Sequence, residues 1–378
     1  MRRAEGRQAA AACYSRHMAT ERRRDPSLLD ALRRIAPGTE LRLAIENVIK
    51  GHLGALIVLG DTAELQFMFS GGMKIDLPFT PQFLYELAKM DGAIVLDAAA
   101  SRIVHANVQL MPDPTIPSAE TGTRHRTAER VARQTSALVI SISQQRDTVS
   151  LFVGEQRYQL EDVADVLAKT NQAVATLETY RQRLDQVVQR LTALEFQGAA
   201  TLDDVLVVLQ RLELADRVGQ EIVQDLVELG SEGRLLGMQL SELIAELPRD
   251  RLALVRDYAV GAAARDAEGA VAQLEELPYQ RVLEFGCLAA ILGHGDADSP
   301  IDTRVTPRGF RALAHLPRVS EQLADALVAR FGMLESLLRA PLTELEDIDG
   351  LDRSRAREVR EALRRLQEHT LADRYLSL

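Results

Sequence analysis

The 378 residues include no tryptophan, only two cysteines (Cys13 and Cys287) and only four lysines (Lys50, Lys74, Lys89 and Lys169). Two cysteines exclude a disulfide framework and an all-cysteine zinc site. The longest apolar run, around Leu53 to Leu59, is strand-sized, whereas a bilayer span needs roughly 18 apolar residues. Arg2, Arg3 and Arg7 are not followed by an apolar segment, so a secretory signal is not expected. These absences read as a cytoplasmic protein with no membrane partner. The dominance of arginine over lysine fits a GC-rich genome and by itself says nothing about nucleic acid.

Several chemical signatures are also missing. There is no Walker A loop, no kinase motif set, no nucleophile elbow and no His-Glu-x-x-His. His52, His105, His125, His294 and His315 are scattered without ligand-like spacing, which argues against a structural zinc site.

What is present is average in bulk and uneven in detail. A composition 46% hydrophobic and 26% charged is that of a soluble globular protein. The length suggests roughly two or three domains at about 150 residues each. A net charge of −10 would oppose a polyanionic partner, but Arg304 to Leu378 carries 13 Arg against 12 acidic residues. The acidity therefore lies elsewhere, and Arg353 to Arg365 holds six Arg against Glu358 and Glu361 alone.

Three regimes follow a tract before Asp25 that is rich in Ala and Arg and reads as a flexible extension; Met18 is a second candidate start. In the first regime, strand-like runs at Gly54 to Gly60, Glu64 to Phe69, Gly92 to Asp97, Ala137 to Ser143 and Thr148 to Val153 alternate with helical patterns. The helical patterns lie at Leu28 to Ile35, Thr39 to Lys50, Pro81 to Met90 and Arg124 to Gln134. This interleaving predicts a mixed αβ layer structure, with the Gly54 and Gly92 runs buried on both faces. The second regime is helical. Leu160, Val163, Leu167, Val174, Leu177, Leu184, Val188 and Leu191 mark one long amphipathic helix ending near Gly198, its stripe reading as intramolecular core before dimer seam. Helices at Leu202 to Leu214, Gln220 to Leu229 and Arg234 to Glu246 are expected next. After a loop from His294 to Pro307, the third regime contains two hairpin-like helical units. One runs from Phe310 through Leu316–Val319 to Phe331, the other from Leu342 through Ile348–Asp352 to Leu366. The expected class is multidomain α+β: an extension (1–24), a mixed-sheet αβ domain (25–157), an all-α helical spacer (158–300) and a C-terminal helical hairpin domain (301–378).

The segment Gly122 to Gln134 is chemically the most informative. It enters from a loop with Pro112, Pro114 and Pro117 and turns helical, with Thr123 a candidate N-cap. Arg124, His125 and Arg126 then fall in the first turn, where the helix dipole disfavours positive charge and backbone N–H groups lie free. A bound polyanion would resolve both problems; side chains simply solvated would leave them. Asp91-Gly92 at the mouth of a buried strand adds a carboxylate and a residue that permits close backbone approach. A carboxylate beside a polyphosphate commonly holds Mg²⁺ or activates a hydroxyl, although Asp-Gly alone is also an ordinary turn.

Together, Asp91-Gly92-Ala93 and Gly122-Thr123-Arg124-His125-Arg126 resemble the paired signatures of diadenylate cyclase domains, with Ser101 to Leu110 and the Pro loop similar as well. From Pro26 to the C-terminus the chain resembles the DNA integrity scanning diadenylate cyclases, the DisA family, in its order of cyclase domain, helical spacer and helix-hairpin-helix. The resemblance implies condensation of two ATP into cyclic di-AMP with Mg²⁺ or Mn²⁺. It implies that Asp91 binds metal and activates the 3′-hydroxyl, that Gly92 lies against the nucleotide, and that Leu110 meets adenine through its backbone. Thr123, Arg124, His125, Arg126 and Thr127 would hold phosphates. It further implies a homo-octamer and binding of branched or recombining DNA without sequence specificity. In the hairpins, Arg318, Gly350, Arg353, Arg355 and Arg357 are the candidate DNA contacts. One departure stands out: the family's Gly-hydrophobic-Gly in the second hairpin is here Gly350-Leu351-Asp352. The other readings are a non-enzymatic DNA-repair scaffold that binds ATP or cyclic di-AMP, and a nuclease whose only candidate carboxylates are Glu344, Glu346 and Asp347.

Overall fold

The computed structural model describes residues 25–295 and 302–376; the expected extension at 1–24, with Met18, lies outside them. The described chain divides into two compact units, residues 25–172 with 221–238, and residues 173–220 with 239–376.

The first unit is built on one mixed sheet. Its strands are β1 (Ala55–Leu59), β2 (Phe69–Ser70), β3 (Met73–Pro78), β4 (Ala93–Leu96), β5 (Arg102–Leu110), β6 (Leu138–Ile142), β7 (Val149–Val153) and β8 (Gln156–Gln159). They lie in the order β2-β5-β4-β1-β6-β7-β8, with β3 also on β5. The β1–β4 pair is parallel and the other pairs are antiparallel. Every residue of β1, β4 and β6 is buried, because the sheet is covered on both sides. Ile57, Leu59, Ile94, Leu96 and Ile140 pack against helices α1 (Pro26–Arg34), α2 (Glu40–Lys50) and α3 (Pro81–Leu87). Leu56, Val58, Val95, Val139 and Phe152 face Ala128, Val131 and Ala132 of α4 (Thr123–Gln134). Such alternation is what a period of two produces when both faces of a sheet are apolar-covered.

Local chemistry sets the helix starts. Asp25, Thr39 and Thr80 each accept a hydrogen bond from an N–H in the first turn of α1, α2 and α3. Two segments of the first unit depart from the sequence pattern. The run Glu64 to Phe69 is not a strand: Asp61 caps a short helix at Thr62–Leu65, a 3-10 turn follows at Gln66–Met68, and only Phe69 and Ser70 pair with β5. Thr123 is the first helical residue of α4 and not its N-cap; Gly122 takes the cap position in extended conformation and supplies no side-chain acceptor.

In the helical regime, α5 (Val163–Phe196) follows the expected course, and Val174, Leu177, Leu184 and Leu191 of its stripe are buried within the single chain. The expected break near 215–219 is absent, and α6 runs uninterrupted over Leu202–Leu229. Gly219 is accommodated inside it because a β-carbon there would meet Ile244 Cγ2 at 2.8 Å; the glycine admits the neighbouring helix.

In the second unit, Phe196 and Ala253 pack into the same core as Phe310, Leu313, Leu327, Leu345, Leu351 and Leu363. Asp257 is the polar centre of this junction. Its buried carboxylate accepts from the N–H groups of Gly309 (2.6 Å), Phe310 (2.7 Å) and Arg311 (2.8 Å), capping the helix Phe310–Ala314. Arg311 is paired with Glu195, which also accepts from the Tyr258 hydroxyl at 2.5 Å. The two hairpin-like units repeat one geometry. Helices Phe310–Ala314 and Leu342–Glu346 are each followed by a tight turn, a residue at positive φ (Arg318, φ 64°; Gly350, φ 88°) and a capping residue (Ser320; Asp352). Helices Glu321–Phe331 and Arg353–Leu376 then begin. Among the described residues, no helix is long and apolar enough to cross a membrane.

Candidate functional site

One end of the sheet gathers the residues singled out by sequence. Because β1 and β4 are parallel in register (Ile57 beside Ile94), Gly54 and Asp91-Gly92 lie at the same edge, just before the two strands. The antiparallel partners β5 and β6 bring their C-terminal ends there, with Val108 opposite Ala93 and Ile142 opposite Ala55. The N-terminal turn of α4 reaches this edge too: Arg124 Nη2 lies 3.6 Å from Asp91 Oδ1. The Asp91 side chain is fully exposed, and Arg124 is about one-third exposed.

The first turn of α4 presents its dipole end without a side-chain cap and without an acidic residue. Its earliest backbone bond runs from the Arg126 N–H to the Gly122 carbonyl at 2.9 Å. The amides ahead of Arg126 thus carry no intrahelical bond, which is the anion-receptive geometry of a helix N-terminus. Arg126 is exposed and donates from Nη2 to the Thr121 carbonyl at 3.2 Å. Thr127 is half-buried one residue further on. His125 is half-buried, with its ring edge-on to Phe152 at a centroid distance of 6.4 Å. Burial holds its pKa below the usual 6.5; Arg157, Arg146 and Arg124 push the same way, and Glu120 opposes them. At neutral pH His125 is therefore a neutral imidazole offering one N–H, and an approaching anion would favour its charged form.

Leu110 closes β5 opposite Phe69, with its side chain buried. Gly92 has a structural reason of its own: a β-carbon there would overlap the backbone of Asn107 on β5, a residue at φ 54° beside a register shift. Sequence reasoning missed Gly54, whose open side holds the Arg124 guanidinium. Its only sequence signal was its place as the boundary of an apolar run, which Gly60 shares.

Of the hairpin candidates, Arg318 Nη1 lies 3.2 Å from Glu358 Oε2, so the first turn meets the helix that follows the second. Arg353, Arg355 and Arg357 are exposed on that helix. Arg355 donates its N–H to Asp352 Oδ1 at 2.7 Å and its Nη1 to the Gly350 carbonyl at 3.0 Å, so Asp352 does cap the helix. Glu346 faces Arg353 at 3.5 Å.

Two family models match the chain. One, described as DisA bacterial checkpoint controller nucleotide-binding, covers residues 42–157, and the other, the DisA bacterial checkpoint controller linker region, covers 160–300. The chain is 47% identical over 345 residues to the DNA integrity scanning protein DisA of Symbiobacterium thermophilum, an alignment spanning 91% of this chain and 97% of that one. Against the same-named proteins of Carboxydothermus hydrogenoformans and Streptomyces coelicolor, identity is 44% and 46%, over 92% of this chain and 99% and 93% of theirs. With its nucleotide-binding domain and linker both matched, and at this identity over nearly the whole length, the chain belongs to the DisA family.

Proposed function

We propose that this chain is a diadenylate cyclase that condenses two ATP into cyclic di-AMP with release of two pyrophosphates. The observation that carries the reading is the meeting of Asp91 with the uncapped, arginine-flanked start of α4 at one sheet edge. The amides and side chains of Thr123, Arg124, His125, Arg126 and Thr127 would receive the triphosphate. Gly92 and the end of β5 at Leu110 would lie along the nucleoside.

Asp91 suits two tasks. Its exposed carboxylate is free to accept the proton of a ribose 3′-hydroxyl. As a single carboxylate facing a phosphate site, it also fits Mg²⁺ or Mn²⁺, which is bound through one or two carboxylates together with substrate phosphates. Such an ion would supply charge neutralisation for the departing pyrophosphate. Each 3′-oxygen forms a bond to the α-phosphorus of the other ATP while the α–β bridging P–O bond breaks. Two linkages need two ATP held face to face, so two copies must present their sites to each other; a homo-octamer that pairs cyclase domains is the assembly proposed.

The repeated hairpin geometry supports a second part of the proposal, that the C-terminal module acts as a helix-hairpin-helix on DNA. Turn amides and helix N-termini would meet backbone phosphates of branched or recombining DNA without reading sequence, and the output of the cyclase would respond. A cytoplasmic setting fits both partners.

Incubation of the full-length chain with ATP and Mg²⁺ or Mn²⁺, with products resolved by mass, tests the reading. Cyclic di-AMP is expected. Retention of ATP without turnover by an oligomeric, metal-supplied sample would replace it with the scaffold reading.

A further inference from the structure

Residues 111–122, between β5 and α4, form no helix or strand and carry Pro112, Pro114 and Pro117. They join Leu110 to the start of α4, so their path sets the spacing between two ends of the candidate site. One face of α4 holds them along their length. Gln134 Oε1 accepts from the Asp113 N–H at 3.0 Å, and Arg130 Nε donates to the Ile116 carbonyl at 2.9 Å. Arg133 Nη1 donates to the Pro117 carbonyl at 2.6 Å. Glu129 Oε2 accepts from Ser118 Oγ at 2.5 Å and from the Ala119 N–H at 3.2 Å.

Among these four side chains Glu129 is the buried one, only 8% exposed. Burying a carboxylate is unfavourable unless it is paired and hydrogen-bonded. Here Arg133 lies 2.9 Å from Oε1, and the hydrogen bonds to Oε2 come from the loop. An apolar residue would fill the same place on α4 at lower cost but could not hold the loop.

We propose that Glu129 is a positioning residue of this site. It fixes the end of β5 relative to the N-terminal turn of α4, so that a nucleotide is gripped at base and phosphates together. Glu129 itself touches neither substrate nor metal. The inference rests on the ATP reading above.

The test compares full-length wild type with Glu129→Gln, Glu129→Ala and Ser118→Ala, measuring KM and kcat for ATP and the inhibition constant of inorganic tripolyphosphate. Tripolyphosphate engages the helix end alone. In Glu129→Ala the KM should rise about tenfold, with kcat within about threefold and the tripolyphosphate constant within about twofold, since only two-ended binding is lost. Glu129→Gln keeps an acceptor oxygen for Ser118 and Ala119 and should stay within about threefold of wild type. Ser118→Ala should move KM the same way by less, and it decides the matter if Glu129→Ala does not fold. A wild-type KM in Glu129→Ala overturns the proposal. So does a parallel rise in KM and the tripolyphosphate constant, which would mean general loosening. A wild type that makes no product fails the ATP reading first, before any variant is made. In that event hydrogen exchange at the Ala119 amide still reads the clamp: about tenfold faster exchange in Glu129→Ala supports it, and an unchanged rate overturns it.

Discussion

The guanidinium of Arg124 lies in the space that a β-carbon on Gly54 would occupy, with Nη1 the nearest atom. One residue closes the loop into β1 and the other opens α4, so neither explains the other in sequence. At Gly54 the missing side chain makes room for the cation that faces Asp91.

Gly54→Ala should therefore damage function more than fold. The displaced atom is the far end of a flexible side chain, which can move away at little cost to packing. Product formation is expected to fall about tenfold, equivalent to about 1.4 kcal/mol of transition-state stabilisation, while the thermal midpoint stays near that of wild type. A large drop in midpoint with unaltered turnover would contradict this account.

Gly92→Ala should behave the opposite way. Its β-carbon would overlap backbone atoms of Asn107 on β5, and these cannot swing aside. Overpacking of this kind typically costs about 1–3 kcal/mol. Thermal unfolding of the variant should show a clear loss of stability even without nucleotide. An unchanged midpoint with impaired ATP binding would mean that the glycine serves ligand approach alone.

Asp91→Asn separates chemistry from architecture. The side chain is fully exposed and its only ion pair among the described residues is the 3.6 Å approach to Arg124. Stability should be unchanged, ATP should still bind, and cyclic di-AMP should fall by about 10²-fold or more if the carboxylate accepts the proton. Turnover within a few-fold of wild type would remove Asp91 from the reaction.

Asp257 gives the second unit a pH signature. Burial, with Glu195 beside it, raises its pKa to about 6, against the pull of its amide hydrogen bonds and of Arg311. A carboxyl whose folded pKa exceeds its unfolded value binds more protons in the folded state between the two, so its contribution to stability falls as pH rises through that window. The window runs from about 4 to about 6, and the difference is on the order of 3 kcal/mol. The stability of wild type minus that of Asp257→Asn should decline from pH 4 to about 6.5 and then level off. A difference flat across that range would show that the carboxylate is ionised throughout.

The buried strands β1, β4, β6 and β7 were legible because their residues are apolar between turn signals, with only Ser141 and Ser150 interrupting. Strand β3 was not read, although Met73, Ile75 and Leu77 alternate with Lys74 and Asp76; nearly all of it is exposed, Asp76 sits at φ 51° and its pairing with β5 shifts register, so the alternation marks no fully buried face. The run from Glu64 failed for the converse reason, since an apolar pattern of strand length was claimed by the Asp61 cap. In the site, the charged residues announced themselves by sitting where a helix start disfavours them. The contacts of Gly54 with Arg124 and of Glu129 with the loop before α4 join residues remote in sequence or without periodicity, and only the folded chain shows them.

The two hairpin turns offer the last test. Gly350 takes its positive φ freely, whereas Arg318 holds φ 64° with a side chain, a conformation that costs an ordinary L-residue roughly 1–2 kcal/mol. The Arg318 guanidinium is exposed and lies 3.2 Å from Glu358 on the helix after the second hairpin. Asp352 has the contrary character: it caps the helix through the Arg355 N–H, yet places negative charge where a DNA phosphate would approach. Arg318→Gly should relieve strain while weakening DNA binding and lowering the salt slope by about one. Asp352→Gly should cost only a few tenths of a kcal/mol in capping, since glycine is itself a tolerated N-cap, and should tighten DNA binding. Titrations of branched DNA at several salt concentrations decide the matter. Equal affinities and slopes for wild type and both variants would place the DNA contact elsewhere on the chain.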